Sequence, residues 1–480
     1  MRLDQIAGHL EDARIEGDPS TEVSGLAYDN RKVESGWLYF CVPGSVTDGH
    51  LFAPEAVSAG ASALVVDRPL GLEVAEVEVP DVRQAMAPIA AEFEGDPTAS
   101  LTVAGITGTN GKTTTAFLLR DLLEADGRQT GLIGTVRQVV GGREEEVERT
   151  TPESVDLQAT FRRMLDQGDS ACVMEVSSHA LDQHRADAIR FDLAVFTNLT
   201  QDHLDYHGDM ESYFLAKRRL FEMEPRVALV NADDPYGRRL AEEFGATTFS
   251  TAGEQADFVA RGIEFDRAGA RFTVDSPGGE LRVEVPLAGA FNVSNAVASL
   301  AGAIVLGVEP EVAVRGLAGA SPVPGRLEPV DRGQDFAVFV DYAHTPDSVA
   351  NVLEAARELT RNRLITVIGA GGDRDRGKRP LMGEAAGRLS DLTVVTSDNP
   401  RSEPPELIVG EVAAGIPAGC EVVVEVDRDA AIGRAIEAAG PGDTVVIAGK
   451  GHEQGQEFED GRKIPFDDRE VARRHLGGRS

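Results

Sequence analysis

Cysteine is nearly absent: Cys41, Cys172 and Cys420 are the only three in 480 residues. None has a close partner or metal-ligand spacing, which argues against a disulfide framework and a zinc site and fits a reducing compartment. Positive charge is scarce too, with 47 Lys and Arg against 80 Asp and Glu and a formal charge of -33. Such a surface repels nucleic-acid phosphate and anionic lipid, so neither is expected as a partner. Any anionic ligand has to meet local Arg, Lys or Mg²⁺. Long apolar runs are missing as well. The longest candidate, 293–308, is interrupted by Ser294, Asn295 and Ser299 and falls short of the roughly 18 apolar residues of a spanning helix. The opening MRLDQIAGHLEDA lacks the basic start and apolar core of a signal peptide. No membrane insertion and a cytoplasmic location are therefore expected.

Lysine occurs only at Lys32, Lys112, Lys217, Lys378, Lys450 and Lys463. Two readings of the Arg bias and the acidity stay open: nucleotide composition, or a hydrated carboxylate surface adapted to salt.

What is present is enough for several cores, since 42% of residues are hydrophobic and a chain of this length divides into domains. The first hundred residues carry short apolar stretches separated by Gly, Pro and Asp, ending at Gly95-Asp96-Pro97. From Leu101 the pattern becomes a buried strand, a glycine-rich turn, then an amphipathic helix from about Thr113 to Ala125, stopped by Gly127. Further strands are predicted at 171–176, 193–197 and 227–230, each ending in polar residues where a parallel sheet places its ligand crevice. Beyond Ser321-Pro322-Val323-Pro324-Gly325, strands at 337–340, 364–368, 392–396 and 444–448 alternate with helical segments. The expected fold is α/β in three domains: a small N-terminal α/β domain over 1–97, a central P-loop-type nucleotide-binding domain with a mostly parallel sheet over 98–323, and a C-terminal Rossmann-like domain over 324–480.

The turn GITGTNGKTT places Gly108, Thr109, Asn110 and Gly111 where backbone N–H groups can approach phosphate. Lys112 would neutralise β/γ charge and Thr113, followed by Thr114, would hold Mg²⁺. The loop departs from the strict Walker form, because Ile106 stands five before Gly111. EVSSHALDQHR, from Glu175 to Arg185, concentrates a carboxylate, hydroxyls, imidazoles, an amide and a guanidinium after a strand. TNLTQDHLDYHG adds His203 between Asp202 and Asp205 at another strand end, which favours Mg²⁺ coordination. By pattern alone Lys217, in SYFLAKRRLF, reads as an ordinary solvated lysine on a helix.

With FNVSN (Phe291 to Asn295), PGR (Pro324 to Arg326), VDYAHTPDS (Val340 to Ser348), GGDRDRGKRPLM (Gly371 to Met382), DNPR (Asp398 to Arg401) and GKGHE (Gly449 to Glu453), these strings resemble the Mur ligase family in order along the whole chain. The match is to its branch that adds meso-diaminopimelate to UDP-N-acetylmuramoyl-L-alanyl-D-glutamate. That resemblance implies an ATP- and Mg²⁺-dependent amide ligase, working through an acyl phosphate on small-molecule substrates and expected to be a monomer. It implies catalytic roles for Lys112, Glu175, His203 and Lys217, the last carbamylated by CO₂, and a metal-ligand set of Thr113, Glu175, His203 and Lys217. Asn295, Arg326 and Asp341 would join the loop in holding ATP.

By the same resemblance the UDP-sugar dipeptide would rest on Tyr28, Asn30, Ser45, Val46, Thr47, Arg149, Thr150, Thr151, Ser177, Gln183 and Arg185. Asn30 and Arg149 depart from the family's usual serine and asparagine. Diaminopimelate would meet Arg374, Asp398, Asn399, Pro400, Arg401, Gly449 and Glu453. Arg401 can take its distal carboxylate bidentately, and leaving that guanidinium buried without its anion would disfavour L-lysine by about 2 to 5 kcal/mol. The alternatives are the same chemistry on L-lysine or another diamino acid, a folate polyglutamate ligase, and a non-catalytic nucleotide-binding protein.

Overall fold

Runs of aliphatic residues buried on both faces become parallel strands, because only helices packed above and below can cover them. The computed structural model describes residues 1–10, 12–44, 47–147, 149–266 and 269–478, in two compact units. Residues 1–107, 127–195 and 216–228 form the first; residues 108–126, 196–215 and 229–480 form the second.

In the first unit a five-stranded sheet runs in the order Arg14–Glu16, Ala75–Glu78, Ala63–Val66, Trp37–Phe40, Gly25–Ala27. Only its first pair is antiparallel. Leu38, Phe40, Val65 and Val77 pack with Leu3, Ile6, Met86 and Ile89 into its core. The helix that supplies Met86 and Ile89, Val82–Phe93, begins at Asp81, whose carboxylate accepts from the Arg83 and Gln84 N–H groups. Such a cap satisfies donors that the first helical turn leaves open. Thr102–Thr107, Ala171–Glu175 and Thr130–Ile133 make a second, parallel array.

The second unit carries the helix Lys112–Ala125 packed against Ala290–Val305. It also carries a six-stranded sheet in the order Glu328–Pro329, Ala337–Asp341, Thr444–Ala448, Leu364–Ile368, Leu392–Val395, Val422–Val424. Alternate residues of these strands enter opposite cores. Leu364, Ile368 and Val446 join Leu353, Met382 and Val412, while Ile365, Val367 and Ile447 join Ile432, Ile436 and Val471. The fold is thus mixed α/β with mostly parallel sheets.

Predicted strands and observed strands coincide to within a residue or two at both 171–175 and 444–448, and the helix of the glycine-rich turn begins at Lys112, one residue early. The segment 290–305 is a helix buried along most of its length, in agreement with the reading of 293–308. One region was not anticipated: Phe258–Asp266, Gly269–Ser276 and Gly279–Val285 form an antiparallel meander. Its strands show one face to water and carry charged residues at alternate positions, which hides them from a search for apolar runs. Among the described residues no helix is long and apolar enough to cross a membrane.

Candidate functional site

The glycine-rich turn is fixed by close approach. Gly108 and Gly111 have φ of 149° and 86°. A Cβ on Gly108 would lie 1.9 Å from Thr197 Oγ1, and one on Gly111 2.4 Å from Asn295 Oδ1, so no side chain fits either position. Asn198 and Thr197 lace the turn from outside: Thr109 N donates to Asn198 O at 2.8 Å, Asn110 N to Asn198 Oδ1 at 2.9 Å, and Thr197 Oγ1 to Asn110 O at 2.6 Å. Gly111 then caps the helix Lys112–Ala125, whose N-terminal N–H groups and dipole favour an anion. Lys112 folds back and donates through Nζ to Gly108 O at 2.9 Å and Thr109 O at 2.8 Å. Its ammonium is therefore held over the turn, where phosphate charge would gather.

Around this turn the second unit brings together several of the residues singled out above. Arg326 Nη2 donates to Thr113 Oγ1 at 2.9 Å, and its guanidinium lies 4.8 Å from the Tyr342 ring centre. Thr114 is buried beside it in sequence, and Asn295 Oδ1 accepts from Thr115 Oγ1 at 3.4 Å. Asp341 is committed to the backbone, since its two oxygens accept from Leu327 N at 2.6 Å and Ala343 N at 2.7 Å. Burial raises its carboxyl against the opposing charge of Arg326. Asp347 holds Asn110 Nδ2 at 2.8 Å.

His203, in the left-handed region at φ 54°, adjoins the buried Asp202. The Asp202 carboxylate lies 3.4 Å from His203 Nε2, 3.5 Å from Lys378 Nζ and 3.9 Å from His344 Nε2. Burial opposes its ionisation, but His203, Lys378 and His344 prevail and hold it below the usual carboxylate range. Burial, aided by Lys378, lowers His344 to about 4, so this imidazole is neutral at pH 7. Lys378 and His344 are partners that the motif reading gave no role.

In the first unit, Glu175 is 1% exposed and accepts from Thr135 N at 2.8 Å and Thr135 Oγ1 at 3.1 Å. Thr150 Oγ1 lies 3.0 Å from Thr135 Oγ1. Thr151 Oγ1 donates to Glu175 O at 2.9 Å and accepts from Ser177 N at 3.1 Å. Arg185 reaches Thr151 O at 3.2 Å and Gln183 Oε1 at 2.6 Å. The centre of this cluster is Glu153, which the sequence reading missed: it pairs with Arg149 at 2.6 Å, Arg185 at 3.1 Å and Arg83 at 3.4 Å. Three guanidinium groups around one carboxylate leave positive charge for an anionic ligand.

Tyr28 donates to Asp156 at 2.6 Å, whereas Asn30 is turned to Glu55 at 2.8 Å. Thr47 is exposed, and Ser45 and Val46 lie outside the described residues. Lys217, read from pattern as solvated, is 1% exposed on the helix Met210–Glu222. The solvated reading is corrected: its position falls on the buried face with Leu220 and Phe221.

Two distant segments, one at Gly372 and one over 450–457, converge in the second unit on Asn399, whose backbone O accepts from Gly372 N at 2.9 Å. Its Oδ1 accepts from Lys450 Nζ at 2.8 Å and Glu457 N at 2.9 Å, and its Nδ2 donates to Glu453 Oε2 at 2.8 Å. Lys450 is fully buried, 3.0 Å from Glu453 and 3.9 Å from Asp398. Burial opposes ionisation of Asp398, but Lys450 and Arg428 hold its carboxyl low. Gly449 has φ 120°, and a Cβ there would lie 2.5 Å from Asp398 Oδ2. Beneath, the fully buried Arg428 and Asp468 pair at 2.7 Å, and Arg428 also donates to Ala448 O. The fully buried Arg379 ties Glu403 at 2.7 Å to Glu411 at 2.6 Å. Arg374 is outside this web, donating to Asp373 O.

Pro400 precedes Arg401, which sits at φ 52°, donates through Nη1 to Gly372 O at 2.7 Å and pairs through Nε with Glu457 at 3.1 Å. This corrects the picture of a guanidinium stranded when a substrate brings no anion. Glu457 supplies a counter-ion, so the penalty on L-lysine is smaller than that argument gives. Among the described residues no group of three or more His, Cys, Asp or Glu side chains is gathered as a metal site.

Three family descriptions match the chain: Mur ligase family, catalytic domain, over 22–94; Mur ligase middle domain over 106–303; and Mur ligase, glutamate ligase domain, over 325–451. The UDP-N-acetylmuramoyl-L-alanyl-D-glutamate--2,6-diaminopimelate ligase of Geobacillus thermodenitrificans (strain NG80-2) is 46% identical, over 98% of this chain and 99% of the relative. The protein of the same name from Solibacter usitatus (strain Ellin6076) is 48% identical, over 95% and 94%. A solved structure titled as that ligase superposes with a TM-score of 0.71 at 34% identity, covering 100% of this chain and 99% of the other. With matched segments along most of its length and full-length relatives at this identity, the chain belongs to the Mur ligase family.

Proposed function

We propose that this chain is the ligase that joins meso-diaminopimelate to the D-glutamyl carboxylate of UDP-N-acetylmuramoyl-L-alanyl-D-glutamate at the expense of ATP, in cell-wall precursor synthesis. The observation that carries it is the convergence of Asn399, Arg401, Gly449 and Glu453 in a chain whose full-length relatives are named for 2,6-diaminopimelate. An amine and a carboxylate at the distal end of that substrate suit a region where Glu453, bonded to Asn399, and Arg401, linked to Asn399 through Glu457, offer both charges.

In the reaction the D-glutamyl carboxylate oxygen attacks the γ-phosphorus of ATP and ADP leaves, giving an acyl phosphate. The amine of diaminopimelate then attacks the acyl carbon, loses a proton, and expels inorganic phosphate. Two anions have to meet in the first step. Lys112 and the helix N-terminus behind it offset that repulsion and stabilise charge as it develops, with Arg326 assigned to the same task. The residues that the family resemblance names as Mg²⁺ ligands are Thr113 and His203 in the second unit and Glu175 and, once carbamylated, Lys217 in the first; Mg²⁺, when bound, would further neutralise phosphate charge. The arginines around Glu153 and the hydroxyls of Thr150, Thr151 and Ser177 are assigned to the UDP-sugar dipeptide, with Tyr28, Gln183 and Arg185. Division at 97 and 323 into UDP-sugar, ATP and amino-acid domains belongs to the same proposal, as do a cytoplasmic location and a monomeric state.

The test offers ATP, Mg²⁺, bicarbonate and UDP-N-acetylmuramoyl-L-alanyl-D-glutamate with either meso-diaminopimelate or L-lysine, at low and at molar KCl, and quantifies nucleotide-tripeptide and phosphate together. Tripeptide with diaminopimelate, in step with phosphate, is expected. Preferential use of L-lysine would overturn the choice of acceptor, and absence of product with either would overturn the ligase reading.

A further inference from the structure

Arg401 is held from two sides before any substrate arrives. Its backbone N–H donates to Glu457 O at 3.1 Å, and Glu457 N donates to Asn399 Oδ1 at 2.9 Å. The strand Gly455–Glu457, steadied by its antiparallel partner Lys463–Pro465, is therefore bound to the turn that carries Arg401. The guanidinium is bound as well: Nε donates to Glu457 Oε2 at 3.1 Å and Nη1 to Gly372 O at 2.7 Å. A guanidinium has five N–H donors in a rigid fork. Two are used, and the second N–H of Nη1 and both of Nη2 remain for an end-on carboxylate. Arg401 also lines a cavity of about 450 Å³ with Pro400, Phe458 and Arg462.

A long side chain that captures an anion loses rotamer freedom in doing so. One already fixed at two donors has met most of that cost before binding. The same carboxylate opposes an incoming anion by charge, so Glu457 would weaken attraction while improving aim. Its hydrogen bond and its charge therefore act in opposite directions and can be separated by mutation.

We propose that Glu457 is a positioning residue for acceptor choice, holding Arg401 so that its outer N–H pair meets the distal carboxylate of diaminopimelate. The inference rests on the functional reading above, in which Arg401 recognises that carboxylate.

The experiment measures kcat and KM for meso-diaminopimelate and for L-lysine at saturating ATP and precursor, in wild type, Glu457→Ala and Glu457→Gln, with thermal unfolding of each. Glu457→Ala is expected to raise KM for diaminopimelate about tenfold, the scale of one hydrogen bond to a charged group. Its kcat should be unchanged, because the distal carboxylate is remote from the reacting amine. KM for L-lysine, which has no such carboxylate to be aimed at, should rise by less, through the lost counter-ion alone. Glu457→Gln keeps an acceptor for Nε without the charge and should restore KM to the wild-type value or below. An unchanged KM for diaminopimelate in Glu457→Ala, an equal loss with both amino acids, or a Gln variant no better than Ala would overturn the proposal. Wild-type protein that forms no diaminopimelate product would overturn the functional reading itself, a result distinct from all of these.

Discussion

The glycine-rich turn and the web around Asn399, both proposed above to bind substrates, are built by opposite means. The turn is one contiguous run, 105–114, whose donors are backbone N–H groups and whose single cation, Lys112, bonds carbonyls of its own loop. The web joins segments near 371–379, 398–403 and 449–457 through side chains, several of them buried and charged. A turn made of backbone can lose its one side-chain cation and still stand. A web made of buried charge loses architecture and recognition together, because each group removed leaves a partner without its counter-charge.

The sharpest way to break that comparison is at Arg428. It is fully buried, pairs with Asp468, and supports both Ala448 O and Ser397 O, the residues just before GKGHE and DNPR. Arg428→Ala leaves Asp468 as an uncompensated buried carboxylate and should cost about 3 to 5 kcal/mol of stability. Urea unfolding with intact cooperativity measures this, and a midpoint close to wild type would refute the architectural role.

Lys112→Ala should show the reverse profile. Loss of the loop cation is expected to lower kcat by about 10²- to 10³-fold, the range for removing one preorganised stabiliser of transition-state charge. The unfolding midpoint should move little, since Gly108 and Thr109 carbonyls can turn to water. A comparable drop in stability would mean that the loop depends on its lysine as the web depends on its arginines.

The same contrast governs what could be read from the sequence. The turn was legible because its residues are adjacent and its neighbours, Thr102–Thr107 and Lys112–Ala125, have clean strand and helix patterns. Both C-terminal cores were legible for a similar reason: strands such as Leu364–Ile368 and Thr444–Ala448 are buried throughout and apolar but for Thr366 and Thr444. Family motifs brought Asn399, Arg401, Gly449 and Glu453 into view but not what holds them. Arg379 meets Glu403 across 24 positions, Arg401 meets Glu457 across 56, and Arg83 meets Glu153 across 70. No local spacing records such pairs, and each residue alone resembles a solvated surface charge. Lys217 failed for a different reason: it stands three or four residues from Tyr213, Phe214, Leu220 and Phe221, so the helix period already put it on the buried face, and its charge was weighed above its position.

A smaller effect sharpens the comparison through pH. The Arg379 guanidinium beside Glu403, helped by the Asp373 N–H and opposed by burial, lowers this carboxyl to about 2 from its ordinary 4.5. A carboxylate whose folded value is depressed stabilises the protein above the unfolded value and loses that contribution as pH falls through the window between them. Stability should therefore decline from about pH 4.5 towards pH 2, with Glu411, also held low by Arg376 and Arg379, titrating in the same direction. Glu403→Gln should lower stability at pH 7 and flatten this acid limb, because the variant has no proton to gain at that position. Chemical denaturation of wild type and variant at intervals from pH 7 to pH 2 measures the difference, which should hold constant down to about pH 4.5 and narrow below it. A gap that stays constant below that pH as well would mean that Glu403 contributes shape and hydrogen bonding to the turn carrying Arg401, and that its charge contributes nothing to stability.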